Sequence, residues 1–138
     1  MTAEGNESVR QGLWGEDVAA RDLERRGCAI VGRRVRPSPH DGRLEIDIIA
    51  KEPGGTLLFV EVKTHKERSP YAGALPRVDA AKKANLRRAC LSWLRSRRWR
   101  GNFRFAVYQI YGDSSAGTPP EIDFFPDVRL FPPRFRFL

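Results

Sequence analysis

Two short segments of alternating polarity, separated by a turn, constrain the fold of this chain most. Leu44–Ala50 and Thr56–Lys63 are rich in Ile, Val, Leu and Phe, and the sequence Pro53-Gly54-Gly55 lies between them. Pro and Gly favour tight turns, so the pattern predicts a β-hairpin. A turn centred on Gly54 places Ile48 opposite Val60. The polarity pattern supports this register, because a slip of one residue would mix the apolar and charged surfaces.

The predicted hairpin has one apolar and one charged surface. On the apolar surface, residues of the first strand face residues of the second: Leu44, Ile46, Ile48 and Ala50 against Thr64, Val62, Val60 and Leu58. On the other surface the facing sets are Glu45, Asp47 and Ile49 against Lys63, Glu61 and Phe59. Asp47 therefore faces Glu61, with Cβ atoms about 4.5–5.5 Å apart. Facing carboxylates destabilise a sheet unless a positive group, such as a divalent cation, lies between them.

The remaining elements follow from periodicity and from helix-capping residues. We predict a helix from about Val9 to Arg26, with Ser8 and Gln11 as a capping box and Gly27 as the stop. A second helix begins after Asp79, an N-cap residue, and reaches about Arg98. The other predicted strands are Cys28–Arg36, Phe103–Tyr111 and a short Glu121–Phe125.

This order, α-β-β-β-α-β-(β), predicts an α/β (α+β) fold with a mixed sheet flanked by helices. The length of 138 residues fits a single domain. We place its core at about residues 9–128, followed by a tail at 129–138 that is rich in Pro, aromatic and basic residues. We expect that tail to pack either on the body of the protein or on a second subunit.

The first helix carries an acidic residue on its inward face. A helical projection puts Val9, Leu13, Glu16, Ala20 and Leu23 on one side. The polar residues on the other sides are Arg10, Gln11, Arg21, Asp22 and Arg25. Glu16 is therefore expected to point toward the sheet and to add a third carboxylate to the pair formed by Asp47 and Glu61.

The net charge of +8 is concentrated in one segment. Between Arg77 and Arg104 there are ten basic residues and one acidic residue. Such a patch is typical of proteins that bind nucleic acid, although a solvated basic helix has the same composition. The residues we expect to contact nucleic acid, with DNA preferred to RNA, are Lys82, Lys83, Arg87 and Arg88.

Other classes of protein are disfavoured by the sequence. No apolar stretch approaches the roughly 20 residues that span a bilayer, and the N-terminal residues lack the apolar core of a secretion signal. The two cysteines, Cys28 and Cys90, fit free thiols in a reducing cytoplasm. His40 and His65 are expected to be surface residues of loops, and a phosphate contact is the alternative for His65.

Asp47, Glu61 and Lys63 suit the cleavage of phosphodiester bonds. The two carboxylates, Glu16 and the backbone carbonyl of Val62 can hold Mg²⁺ or Mn²⁺, which polarises the phosphate and activates a water. Lys63 follows Glu61 by two residues, so alternation puts its ammonium on the same surface. The alternative is a solvent-exposed face on which Lys63 forms an ion pair with Glu45.

Three sequence blocks also resemble, in order and spacing, the YraN-like family of bacterial proteins. They are Gly15-Glu16-Asp17-Val18-Ala19-Ala20, Glu45-Ile46-Asp47-Ile48-Ile49-Ala50 and Phe59-Val60-Glu61-Val62-Lys63-Thr64. The resemblance implies a restriction-endonuclease-like core of the PD-(D/E)xK superfamily, similar in layout to archaeal Holliday-junction resolvases. It implies that Asp47 and Glu61 are metal ligands, Lys63 the catalytic lysine and Glu16 an accessory acid.

We therefore expect a metal-dependent endonuclease acting on DNA, including branched or damaged structures, and acting as a homodimer. Two other hypotheses stay open. The first is a nucleic-acid-binding protein with a vestigial nuclease site, and the second is a structural or partner-binding protein that uses its aromatic tail.

Overall fold

A five-stranded mixed sheet with one helix on each face forms the centre of the protein. The computed structural model describes residues 3–68 and 79–131. The elements are α1 (Ala3–Arg25), β1 (Ala29–Val35), β2 (Ile46–Lys51), β3 (Leu57–His65), α2 (Ala80–Ser96), β4 (Phe103–Tyr111) and β5 (Glu121–Phe125). The strands lie in sequence order, and all neighbours are antiparallel except β3 and β4. The predicted order and fold class are confirmed.

The β2–β3 hairpin has the predicted register. Ile48 pairs with Val60 and Ala50 with Leu58. The prediction that Leu44 and Ile46 share a surface with Ile48 is wrong, because both pack in the apolar cluster beneath α2 while Ile48 packs beneath α1. Pairing with β3 ends at Ile48, although Ile46 still pairs with β1. The strand alternation is therefore interrupted at Asp47.

Helix α2 is the crossover between the parallel strands β3 and β4. Asp79 caps its first turn as predicted, and Asp79 Oδ1 accepts a hydrogen bond of 2.8 Å from the backbone N–H of Lys82. The buried face of α2 is also as predicted, with Leu86, Ala89, Cys90, Trp93 and Leu94. This face covers one side of the sheet, around Phe59 and Val107.

Helix α1 covers the opposite side of the sheet but starts earlier than predicted. It begins at Ala3, so Ser8 and Gln11 lie inside the helix and form no capping box. Its end is as predicted: Gly27 has a φ of +89°, and the Cys28 N–H donates to the Leu23 carbonyl at 3.0 Å.

The inward face of α1 also differs from the helical projection. Val9 is 53% exposed, whereas Gln11 is buried. The side chain of Gln11 donates to the carbonyl of Gly112 at 2.5 Å and accepts from the N–H of Ser114 at 3.0 Å. A buried amide is tolerated where hydrogen-bond partners exist, and these partners lie about a hundred residues away, beyond the reach of any local pattern.

His65 is the last residue of β3, so its predicted position in a loop is wrong. His40 lies in a turn and is exposed, as expected. The predicted tail lies only in part, up to Phe131, among the described residues, and its aromatic end at residues 132–138 lies outside them. Residues 69–78, between β3 and α2, also lie outside the described residues.

Candidate functional site

The candidate site lies where β2 and β3 separate. The Leu57 N–H donates to the carbonyl of Asn102, and the His65 carbonyl accepts from the N–H of Gly112; these two partners flank β4. Odd-numbered residues of β3 therefore direct their backbone polar groups toward β4. Even-numbered residues direct theirs toward β2. Val62 therefore points its N–H and its carbonyl into the gap between the two strands.

The side chain of Asp47 occupies this gap. The Val62 N–H donates a 2.8 Å hydrogen bond to Oδ2 of Asp47. In a continued antiparallel ladder its partner would be the carbonyl of Ile46, so a carboxylate replaces a backbone acceptor. The hydrogen bond holds the Asp47 carboxylate close to the backbone of β3, where the Val62 carbonyl faces the same space.

Glu61 lies on the α2 side of the sheet, and its charge acts on Asp47. The prediction that the two residues face each other as a strand pair is wrong, because the pairing of β2 with β3 ends at Ile48. Strand alternation places Glu61 with Phe59, which packs beneath α2. Its side chain is only 7% exposed, and its Oε1 lies 3.0 Å from Nζ of Lys82, a residue of the first turn of α2. The buried carboxylate is thus neutralised by a lysine from the covering helix.

Asp47 and Glu61 interact strongly with each other. Burial and the neighbouring Glu61 charge raise the pKa of Asp47 to about 7, against the opposing effect of the Val62 hydrogen bond. The charge of Glu16 raises the pKa of Asp47 further. At neutral pH the Asp47 carboxyl is therefore partly protonated, and a cation reaching it would favour its ionised form.

Glu16 approaches the same region from α1. Its Oε1 is buried without a hydrogen-bond partner among the described residues. The nearest guanidinium nitrogens, from Arg33 and Arg34, lie 4.0 and 3.9 Å away. Burial raises the pKa of Glu16 even though the two arginines lower it. A buried carboxylate oxygen without a donor is suited to a further cation or to a metal-bound water.

The close approach of α1 to β3 depends on Gly15. An ideal Cβ at Gly15 would lie 2.0 Å from Cγ2 of Thr64. Only a residue without a side chain fits there, and the contact places the next residue, Glu16, over the end of the hairpin.

Lys63 shares the surface of Glu61 by strand alternation, and Gln109 is its partner residue on β4. The alternative ion pair with Glu45 would require the hairpin ladder to continue past Ile48, which it does not. Glu45 forms an ion pair of 3.0 Å with Arg36. Asp47, Glu61 and Lys63 are thus brought to one region of the sheet.

Two further residues lie on this surface: Gln109, which was not identified from the sequence, and His65, which was expected in a loop with a phosphate contact as its alternative role. Gln109 is buried, and its Oε1 lies 2.8 Å from Nε2 of His65. The His65 ring stacks on Tyr111, with centroids 5.2 Å apart. Extending the alternation of β3 past Lys63 would have placed His65 on the same surface, whereas the position of Gln109 depends on the pairing of β3 with β4.

The arrangement fits a hydrated Mg²⁺ or Mn²⁺ ion. Within residues 3–68 and 79–131, no three Asp, Glu, His or Cys side chains converge closely enough to enclose an ion by themselves. Mg²⁺ usually takes one or two carboxylates and keeps several waters and substrate oxygens. Asp47, Glu61 and the Val62 carbonyl could hold such an ion, and Glu16 is the further carboxylate whose charge acts on Asp47.

The basic residues of α2 have several roles. Lys82 is half exposed and forms an ion pair with Glu61. Arg87 donates a hydrogen bond of 3.1 Å to the carbonyl of Leu130, which ties the C-terminal segment to α2. Arg88 lies 3.3 Å from Oδ2 of Asp41. Three of the four residues predicted to contact nucleic acid therefore have partners within the chain, and Lys83 is partly buried.

The chain is similar to several bacterial proteins. A "UPF0102 protein" of Corynebacterium efficiens is 38% identical over 111 residues, which cover 80% of this chain and 85% of the relative. A "UPF0102 protein" of Deinococcus radiodurans is 36% identical over 111 residues, covering 79% of this chain and 86% of the relative. Neither helix within residues 3–68 and 79–131 contains an apolar stretch sufficient to span a bilayer.

A solved structure, SfsA of Pyrococcus furiosus in complex with Ca²⁺, matches with a TM-score of 0.42 and 15% identity. The match covers 85% of this chain and 62% of that one. At this TM-score the similarity adds nothing to the assignment of a function. The model of uncharacterised protein family UPF0102 matches residues 15–110, which include Glu16, Asp47, Glu61 and Lys63. The expected family relationship is thereby confirmed, and the chain belongs to family UPF0102.

Proposed function

We propose that the protein is a Mg²⁺- or Mn²⁺-dependent nuclease that hydrolyses phosphodiester bonds in DNA, including branched or damaged structures. The observation that carries this proposal is the position of Asp47 in the β2–β3 gap, beside Glu61 and below α2. A homodimer and a cytoplasmic location, both expected from the sequence, belong to the same proposal.

The residues have distinct roles in this proposal. Asp47, Glu61 and the carbonyl of Val62 would hold the metal ion, and Glu16 would orient a water in its shell. When bound, the ion supplies charge for the scissile phosphate and lowers the pKa of a water. Lys63 would orient that water or stabilise the negative charge that develops on the phosphate oxygens.

Burial supports a chemical role over a surface ion-pair network. Glu61 is 7% exposed, and Asp47 has its pKa raised toward neutrality, whereas carboxylates of surface ion pairs usually stay solvated and acidic. Neighbouring carboxylates destabilise a sheet. Their presence where two strands separate therefore favours a role in cation binding over a purely structural role.

The test is a cleavage assay on linear duplex, single-stranded and four-way-junction DNA with Mg²⁺, with Mn²⁺ and with chelator. We expect cleavage that needs the metal and that falls at least about 100-fold in Lys63→Ala. Lys51→Ala is the matched control, since Lys51 lies at the other end of β2, with its Nζ 5.7 Å from the Trp99 ring centroid. It should keep full activity.

Two results would contradict the proposal and identify its rivals. Salt-sensitive DNA binding without cleavage under any metal condition would indicate a non-catalytic nucleic-acid-binding protein. The absence of binding at low salt would favour a structural or partner-binding protein.

A further inference from the structure

We propose that Lys82 is an exchangeable counter-ion of the site. Its ammonium covers Glu61 in the metal-free protein, leaves when a divalent cation binds, and then contacts a phosphate of the bound nucleic acid. This inference rests on the proposed function and concerns the regulation of the same site.

The contact between Lys82 and Glu61 joins an exposed cation to a buried anion. Nζ and Oε1 lie 3.0 Å apart, and the side chains are 51% and 7% exposed. Asp47 interacts with the same ammonium, so one lysine compensates two carboxylates. A cation arriving from solvent meets Lys82 before it reaches Glu61.

The backbone of Lys82 is fixed while its side chain has room to move. Asp79 Oδ1 accepts a hydrogen bond from its N–H, so the first turn of α2 is anchored. The side chain is a flexible four-carbon stem that projects from this anchored turn, half of it in solvent. Rotation about its χ angles therefore moves the ammonium without disturbing the helix.

Electrostatic repulsion prevents the Lys82 ammonium and a divalent cation from lying beside Glu61 at the same time. A metal ligated by Glu61 lies about 2.0–2.6 Å from a carboxylate oxygen, close to the position now taken by the ammonium. Two cations at this separation repel strongly in a partly buried site. The ammonium released in this way is a point charge suited to a phosphate oxygen, and it stays tethered beside the metal.

The adjacent residue Lys83 provides a matched control. It lies about 100° further around α2, since a helix has about 3.6 residues per turn. Exchange with a metal at Glu61 should therefore affect Lys82 and leave Lys83 unchanged.

The first measurement is acetylation of individual lysines in the full-length wild-type protein, read by mass spectrometry with and without Mg²⁺ or Mn²⁺. We expect the labelling rate of Lys82 to rise several-fold on addition of metal, with Lys83 unchanged. The second is calorimetric titration with Mn²⁺. Lys82→Ala should bind Mn²⁺ about tenfold more tightly than wild type, and Lys83→Ala should bind as wild type does.

The phosphate contact is tested in the Lys63→Ala background, in which the proposed cleavage is removed. Adding Lys82→Ala should weaken DNA binding in Mn²⁺ but not in chelator. Adding Lys83→Ala should not reproduce this metal-dependent loss.

The outcomes separate this inference from the proposed function. If Mn²⁺ binds while the Lys82 labelling rate stays constant, or if Lys82→Ala weakens metal binding, the exchange is disproved and the metal site stands. A loss of DNA binding that is equal in Mn²⁺ and in chelator would overturn the phosphate contact. If the wild type binds neither metal, the proposed function fails and the exchange fails with it.

Discussion

The N–H of Val62 donates a 2.8 Å hydrogen bond to the carboxylate of Asp47 at the point where β2 and β3 separate. A side chain thus completes a strand pairing that the backbone of Ile46 would otherwise provide. This hydrogen bond explains how an acidic residue is held beside Glu61 without disrupting the hairpin. It also means that the predicted metal ligand has a structural role in the metal-free protein.

Replacing Asp47 by Asn separates these two roles. The amide oxygen can still accept from Val62, while the charge beside Glu61 is lost. We expect Asp47→Asn to raise the melting temperature of the metal-free protein at pH 8, because like-charge repulsion is relieved. Cleavage should fall at least about 100-fold, and Mn²⁺ should no longer stabilise the fold.

Thermal denaturation with and without Mn²⁺ measures this effect. Asp17→Asn is the control, because Asp17 is 49% exposed and forms an ion pair of 2.7 Å with Arg33 of β1. A lower melting temperature of metal-free Asp47→Asn at pH 8 would show that the two carboxylates do not repel as described.

The stability of the metal-free protein should depend on pH through Asp47. Burial beside Glu61 raises the pKa of Asp47 from 3.8 to about 7. The folded state therefore binds this proton more tightly than the unfolded state does. The stabilisation is complete below about pH 4 and is lost as the pH rises toward 7.

Urea denaturation at a series of pH values from 4 to 8 tests this dependence. Relative to Asp47→Asn, the wild type should lose stability as the pH rises. Saturating Mg²⁺ should oppose the loss, because the metal binds the ionised carboxylates. Parallel pH profiles for the two proteins would show that Asp47 titrates normally.

Two glycines of α1 should respond in opposite ways to Ala. Gly15→Ala brings a methyl group against Thr64, whose Cγ2 lies 2.0 Å from the ideal Cβ position, and should destabilise the protein by about 1–3 kcal/mol. Gly12→Ala meets nothing within 4 Å and should stabilise the helix by about 0.5–1 kcal/mol. Chemical denaturation measures both.

Thr64→Ser removes the methyl group that Gly15→Ala would meet. The double variant should therefore recover part of the lost stability. A neutral effect of Gly15→Ala would mean that α1 shifts freely on β3, and the placement of Glu16 would then not depend on this contact.

A partly buried hydrogen bond ties α1 to β4 on the side away from α2. The hydroxyl of Tyr108 donates to Oδ2 of Asp22 at 2.7 Å, and Nε of Arg26 donates to the same oxygen at 2.7 Å. Although burial opposes it, these hydrogen bonds lower the pKa of Asp22. The resulting stabilisation is present above the ordinary pKa near 3.8 and is lost as the pH falls further.

Tyr108→Phe should cost about 1 kcal/mol at pH 7, with a smaller loss at pH 3. A double-mutant cycle with Asp22→Asn, measured by chemical denaturation, isolates the coupling. A coupling energy near zero would show that Arg26 alone satisfies the carboxylate.

The local elements were predictable because their signals are local. The turn residues around Gly54 and the alternation on either side set the hairpin register. Gly27 marked a helix end through backbone hydrogen bonds, and Asp79 marked a helix start through a side-chain cap, in both cases within a few residues. The bounds of β4 and β5 followed from apolar and aromatic residues, and the structure reproduces them.

Errors arose where the partner of a residue is distant in sequence. Gln11 is buried because Gly112 and Ser114 satisfy its amide, and Asp22 faces inward because Tyr108 binds it. A helical projection assigns such residues to solvent, since it contains no information about what lies opposite.

The sequence by itself determined which chemical groups are present and which of them share a strand, because strand alternation depends only on neighbouring residues. It therefore predicted that Glu61 and Lys63 share a surface, and the turn at Gly54 predicted that Asp47 lies beside them. Only the tertiary structure decided that β2 leaves β3 at Asp47, that Lys82 covers Glu61, and that Gln109 lies beside Lys63. Those relationships result from the packing of α2 and β4 against the hairpin. That packing depends on burial and charge across the whole sheet, so the pattern of neighbouring residues does not determine it.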